Sequence, residues 1–212
     1  MARVDLIVPV KRLPEAKSRL RGATGDDPAV HARLALALAR DTVDAARGAR
    51  LVHRVLVVSS DPEVAAGFAA IGVEVVPDGP VPGLNAAYAH GAALLRARRP
   101  DGPVGALQAD LPALRPAELD AAIAAAPRTG RAFCADAGGT GTTLLLAAPG
   151  AALQPAFGVG SAAGHAASGA VALEGEWPGL RCDVDTADDL RAACALGVGT
   201  HTAAVVCPGA RL

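Results

Sequence analysis

Lysine is almost missing from this chain. Of 20 basic residues in 212, only Lys11 and Lys17 are lysines, and both fall in VPVKRLPEAKSRL, residues 8–20. Aromatics are nearly as scarce, at 2% against 51% hydrophobic residues. A core must therefore be built from Ala, Val and Leu, and a chain of this length can bury enough of them. There is no excess of positive charge, the formal net charge being −1. That argues against a general nucleic-acid surface, because neutralising a phosphate polymer needs a basic excess. The cysteines, Cys134, Cys182, Cys194 and Cys207, form no CxxC pair and no Cys/His spacing suited to zinc, as expected of reduced thiols. The apolar run at the N-terminus is too short for a secretory signal, and no stretch nears the length of a membrane span. A soluble, cytoplasmic protein that binds neither nucleic acid nor membrane is the expectation. Abundant Ala, Gly and Arg point to a high-GC bacterial genome.

What is present is an alternation. RVDLIVPV (3–10), HRVLVVSS (53–60), GVEVV (72–76) and PVGALQAD (103–110) read as strands, short apolar runs ended by polar residues. Between them lie helical segments with start and stop signals. Asp27 and Pro28 open one, with Gly48 past its end; DPEVAAGFAAIG is a second; LNAAYAHGAALLRARR (84–99) gathers its arginines at the end where the dipole favours them. RPAELDAAIAAA follows as a fourth. Such alternation predicts an α/β fold with a mostly parallel sheet and helices on both faces. RAFCAD (131–136) and TTLLLAA (142–148) then read as two strands around the turn AGGTG, a small antiparallel insertion. CDVDTADDLRAACALG reads as a strand end entering a capped helix that Gly197 stops. One domain over residues 1–206 with a disordered tail at 207–212 is the expected organisation.

In an open parallel sheet, ligands bind beyond the carboxyl ends of the strands, and three charged loops should lie there. The first holds Lys11, Arg12, Lys17, Arg19 and Arg21. Neither GxxxxGK nor GxGxxG follows the first strand, so no backbone phosphate cradle is encoded. Side-chain charge could grip phosphates instead, or the loop could be a solvated basic run. The second is QADLP, where Asp110 is either a turn cap or a ligand to a hard cation. The third is CDVDTADDL. Asp183 and Asp185, two apart in an extended segment, point the same way. Two such carboxylates repel unless a cation lies between them; capping by Asp185 or Thr186 would explain only one. Asp188 and Asp189 fit the first turn of the next helix. Two glycine-rich turns complete the set, DAGGTGTTL and FGVGSAAGH. In the latter Ser161 could cap a short helix with free N–H groups at its start. A Ser161–His165 pair could suggest a hydrolase, but Val159 stands where a nucleophile elbow needs glycine, and His165 reads as structural.

VKRLPEAKSRL, GLN, QADLPAL, GTGTT, FGxxSxxxH and WPGLRCDVDTADDL occur in this order along nearly the whole chain. Together they resemble the 2-phospho-L-lactate / phosphoenolpyruvate guanylyltransferase family of coenzyme F-420 biosynthesis, with its Rossmann-like nucleotidyltransferase fold. The resemblance implies transfer of GMP from GTP to the phosphate of phosphoenolpyruvate or 2-phospho-L-lactate, with release of pyrophosphate. It assigns phosphoenolpyruvate contacts to Thr142, Gly158 and Ser161, with Thr143 the alternative to Thr142. With that chemistry, Asp110, Asp183 and Asp185 would hold Mg²⁺, and Lys11, Lys17 and Arg19 would take the triphosphate. Asn85 would hydrogen-bond the base or ribose, and Lys17 and Asp110 would be catalytic. A nucleotidyltransferase for a sugar phosphate or a pterin cofactor, and a non-catalytic GTP-binding module, are the rival readings. A homodimer is left open.

Overall fold

A computed structural model describes residues 3–13 and 27–206. Lys17, Arg19 and the expected tail at 207–212 lie outside the described residues. The alternation runs as β1 (Val4–Pro9), α1 (Pro28–Gly48), β2 (Val52–Val58), α2 (Pro62–Ala69), β3 (Glu74–Val76), α3 (Leu84–Arg98), β4 (Val104–Leu107) and α4 (Pro116–Ala125). β5 (Arg131–Ala135) and β6 (Thr142–Ala147) follow, then α5 (Ser161–Ala167) and β7 (Val171–Ala172). The chain continues through α6 (Pro178–Arg181), α7 (Ala187–Leu196) and α8 (Thr200–Val206). The strands form one sheet in the order β3-β2-β1-β4-β6-β5-β7. β1 pairs in parallel with β2 and β4, and β2 with β3. β6 runs antiparallel to both β4 and β5, which is the expected insertion.

The side-chain alternation of each strand divides the core in two. Leu6 and Val8 of β1, Val55 and Val57 of β2, and Leu144 and Leu146 of β6 pack on the α1 face. Ile7, Leu56, Val58 and Leu145 pack on the opposite face, against α3 and the α5 region. A strand buried on both faces needs apolar residues, and β1 is apolar but for Asp5, whose buried carboxylate is met by His53 at 2.8 Å and Arg99 at 3.2 Å. α1 and α2 begin where local chemistry dictates. Asp27 Oδ1 accepts from Ala29 N at 2.8 Å and Asp61 Oδ1 from Glu63 N at 2.9 Å, each followed by proline at the first helical position.

α3 comes unusually close to the sheet at Gly91. A Cβ there would stand 2.6 Å from Ile7 Cγ2 and 3.2 Å from Val58 Cγ2. Gly91→Val is expected to lower unfolding free energy by about 1–3 kcal/mol through overpacking; an unchanged denaturation midpoint would mean that α3 is free to move outward.

Three boundaries differ from the sequence reading. Gly48 is the last residue of α1, and Ala49 serves as its C-cap. Cys182–Asp185 is not a strand; the short helix α6 precedes it, and Val184 N bonds Asp110 O at 3.0 Å instead of joining the sheet. Gly160, not Ser161, is the N-cap of α5, in the left-handed conformation at φ 71°. Ser161 is the first helical residue. No helix among the described residues is long and apolar enough to cross a membrane.

Candidate active site

Register fixes which loops meet. Ile7 of β1 lies opposite Ala106 of β4, so Lys11 and Asp110, each four residues further on, leave the sheet at the same edge. Leu107 of β4 lies opposite Leu144 of the antiparallel β6, which puts the start of β6, at Thr142, at that edge as well. The bond from Val184 N to Asp110 O brings in Asp183 and Asp185. By contrast, an apolar cavity of about 300 Å³ lined by Val4, Pro103, Ile123, Ala132 and Leu146 lies at the other end of the strands.

The loop after β1 is anchored at its start. Leu13 N donates to Asp61 Oδ2 at 2.9 Å, while the other oxygen of Asp61 caps α2. Burial alone would raise the pKa of Asp61. The hydrogen bonds from Leu13, Val64 and Glu63, with the charge of Arg12, outweigh it and hold the carboxyl below its ordinary value. Leu13 is buried, whereas Lys11 and Arg12 are exposed. Lys11 makes no ion pair among the described residues.

The acidic residues form a charged neighbourhood. Val184 is fully buried, with Asp183 half-buried and Asp185 exposed on either side of it, consistent with carboxylates sharing one side. Asp183 is raised from the ordinary 3.8 to about 7, first by burial and then by the charges of Asp110, Asp185 and Asp136. The expected set Asp110, Asp183 and Asp185 is nonetheless not closed into a coordination shell. Among the described residues no three His, Cys, Asp or Glu side chains stand close enough to hold one metal ion. The donor chemistry, carboxylate oxygens with one driven towards its neutral form by burial and then by its acidic neighbours, fits a hard divalent cation.

Capping accounts for the rest of that segment. Thr186 is the N-cap of α7, and Asp189 Oδ2 accepts from Thr186 N at 2.8 Å, closing a capping box. Asp185 is thereby relieved of the capping role.

Across the edge, the turn between β5 and β6 wraps around Asp136. Its carboxylate accepts from Thr140 N at 2.9 Å and Gly141 N at 2.8 Å. A Cβ on Gly141 would fall 2.3 Å from Asp136 Oδ2, so glycine is required there. The β5–β6 register then slips: Cys134 lies opposite Leu144 but Ala135 opposite Thr142. Such a bulge re-aims side chains. Thr142 Oγ1 lies 2.9 Å from His165 Nδ1 of α5, whereas Thr143 Oγ1 donates to Cys134 O at 3.4 Å. Of the two threonines, Thr142 is the one turned to α5. Ala162 N donates to Thr140 O at 3.1 Å, tying α5 to the same turn. Ser161 is 4% exposed, and its hydroxyl makes no hydrogen bond among the described residues. Gly158, at φ 143°, adopts a conformation that side chains rarely tolerate.

Asn85 engages the loop before Gly158. Its amide donates to Phe157 O at 2.9 Å and accepts from Phe157 N at 2.8 Å. Three residues on, and so on the same helical face, Tyr88 stacks on Phe157 with ring centroids 4.4 Å apart. The hydroxyl of Tyr88 donates to Leu107 O at 3.1 Å. Asn85 thus clasps the loop leading to Gly158 through both ends of its amide. Tyr88, Phe157, Asp136 and Asp61 were not singled out from sequence. Asp61-Pro62 carried a visible capping signal, but its second contact, to Leu13, depends on tertiary structure.

Comparison with known proteins places this geometry. Residues 29–173 match the MobA-like NTP transferase domain family. A phosphoenolpyruvate guanylyltransferase of Salinispora arenicola is 58% identical over 201 residues, covering 93% of this chain and 91% of the relative. That of Geodermatophilus obscurus is 56% identical over 211 residues, covering 98% and 95%. Among solved structures, a nucleotidyl transferase from Methanothermobacter thermautotroptrophicus superposes with a TM-score of 0.59 at 19% identity, over 92% of this chain and 97% of the other. Rv0371C of Mycobacterium tuberculosis H37Rv, in complex with manganese, gives 0.55 at 24%, over 91% and 97%. At those identities the structural likeness shows a common nucleotidyltransferase-type fold.

Proposed function

The chain belongs to the phosphoenolpyruvate guanylyltransferase family, within the MobA-like NTP transferases, and from this we propose that it moves GMP from GTP to the phosphate of phosphoenolpyruvate in coenzyme F-420 biosynthesis. The structural observation that carries the reading is the meeting, at one sheet edge, of Lys11, the acidic group and the Thr142–Ser161 region.

A phosphate oxygen of the acceptor attacks the α-phosphorus of GTP, the bond from that phosphorus to the β-bridging oxygen breaks, and pyrophosphate leaves. Both reactants are anions, so their approach is opposed. Lys11, with Lys17 and Arg19 from the same loop, offsets charge on the triphosphate and on departing pyrophosphate. Ammonium groups on flexible stems suit that role. Asp110, Asp183 and Asp185 would hold a divalent cation, Mg²⁺ in this reading, whose charge lets the phosphates approach. The hydroxyls of Thr142 and Ser161 and the main chain at Gly158 donate to the acceptor. Asn85 and Tyr88 hold that loop in place, and no covalent enzyme intermediate is required.

Mass analysis of the product from GTP, Mg²⁺ and either phosphoenolpyruvate or 2-phospho-L-lactate tests the assignment. Pyrophosphate release with a sugar phosphate alone would overturn it. Release with neither phospho-acid, despite GTP binding, would point to a non-catalytic module. For the acceptor site, Ser161→Ala should raise the acceptor KM several-fold more than the GTP KM, since one hydrogen bond to a charged ligand is lost; equal effects would place Ser161 elsewhere.

A further inference from the structure

His165 is a buried side chain that the reaction above leaves unused. It is 0% exposed and stands between β6 and the loop that leads to Gly158. Both ring nitrogens have fixed partners: Nδ1 is 2.9 Å from Thr142 Oγ1, and Nε2 is 3.0 Å from Ala156 N.

The second partner determines the state of the first. A peptide N–H can only donate, so Nε2 must accept and carries no proton. A neutral imidazole with bare Nε2 bears its hydrogen on Nδ1. Nδ1–H therefore donates to Thr142 Oγ1, and the hydroxyl is left with its own hydrogen to give. Thr142 is 3% exposed, and that hydrogen has no acceptor among the described residues. A buried donor without an acceptor is costly, and a ligand oxygen would complete it.

The surroundings maintain this arrangement. Phe157 meets the ring edge-on at 5.2 Å and Phe133 lies at 5.9 Å. Arg131, 8% exposed, donates to Ser168 O at the end of α5. Burial, and then the charge of Arg131, hold His165 below its ordinary pKa, in the neutral form. Asn85 separately secures Phe157, so His165 and Asn85 fix adjacent peptides of one loop.

We propose that His165 is a positioning residue for the acceptor: locked by the Ala156 amide as the Nδ1–H tautomer, it makes the Thr142 hydroxyl an obligatory donor to an anionic oxygen of the phospho-acid. The inference rests on the acceptor site proposed above. It explains why a neutral donor, which can serve carboxylate or phosphate alike, stands where a second cation would also have satisfied charge.

Two measurements test it. In the unaltered protein at pH 7.5, ¹⁵N-detected NMR of the imidazole should show Nδ1 protonated and Nε2 bare; the opposite tautomer or an imidazolium would overturn the proposal. In steady-state kinetics, His165→Phe should raise the phosphoenolpyruvate KM about tenfold, the effect of one charge-directed hydrogen bond, with the GTP KM changed less than about twofold. In a Thr142→Val background the same change should add less than about threefold, because the hydroxyl it orients is gone. Full multiplication of the two effects would make His165 merely structural and sink this inference alone. An unaltered acceptor KM in Thr142→Val itself would instead remove Thr142 from the acceptor site.

Discussion

In metal-free buffer at pH 8.5, Asp183→Asn should melt higher than the parent protein, by roughly 5–10 °C, while its guanylyl transfer, assayed with Mg²⁺ present, falls at least about 100-fold. Removing a carboxylate usually destabilises, so the sign needs its reason. Asp183 titrates near 7 in the folded chain instead of 3.8, chiefly because it is buried and then because Asp110, Asp185 and Asp136 repel its charge. Between those two values the folded state keeps a proton that the unfolded chain has lost. Stability therefore falls as pH rises through this window, and above pH 7 the full penalty applies. Allowing for solvent screening of a half-buried group, it amounts to about 2–4 kcal/mol. Asparagine carries no charge at any of these pH values, so the penalty disappears with it. At pH 4 the advantage should vanish, since the parent carboxyl is then protonated in the fold. Millimolar Mg²⁺ should narrow the gap at pH 8.5 by stabilising the parent more than the variant. The activity loss follows from the proposed ligand role: groups that only orient a ligand already cost about 10–100-fold when altered. A variant that melts lower than the parent at both pH values would contradict the electrostatic account.

A contrast between local and long-range causes explains what could be read from the residues before the structure. β1, β2, α1 and α2 were legible because their signals are local: apolar runs, then Asp27-Pro28 or Asp61-Pro62 at the helix starts. α8 was not, because its cap lies far away in the chain. Asp41 of α1 accepts from His201 N at 3.0 Å and Thr202 N at 2.7 Å, partners 160 and 161 positions away in the chain. β7 has only two residues, both exposed, and exists through its pairing with β5. At the site, Asp110 and the Asp183–Asp185 pair stood out as acids ending or flanking apolar stretches. Their arrangement did not, since it depends on the bond from Val184 N to Asp110 O, which only the fold supplies. Asn85 was visible as a polar residue opening a helix, yet its partner, the peptide of Phe157, lies 72 residues on. His165 could be judged structural as a lone histidine near a helix with no nucleophile elbow before it, but its tautomer depends on Ala156 N, which only the folded loop supplies.

Within the run Asp183-Val184-Asp185-Thr186-Ala187-Asp188-Asp189, two acids four residues apart should fail in opposite ways when altered. Asp185→Asn should leave the melting temperature nearly unchanged, because the side chain is exposed and substitutions of that kind stay within about 0.5 kcal/mol. Turnover should nevertheless drop at least about 100-fold, as for any direct ligand to the cation. Asp189→Ala should do the reverse. Its Oδ2 accepts from Thr186 N and Thr186 Oγ1, both at 2.8 Å, and from Asp185 N at 3.2 Å. Losing that box costs about 1–2 kcal/mol, a fall of a few degrees in melting temperature, with turnover kept within about tenfold. Some activity should still be lost, because Asp189 also holds the main chain of Asp185. Thermal melts and initial rates on the two variants, at one pH and one Mg²⁺ concentration, read both quantities together. If Asp185→Asn instead melted lower and kept its turnover, Asp185 would be part of the helix cap. The cation would then be left with Asp110 and Asp183, and the pairing of two carboxylates across Val184 would lose its chemical purpose.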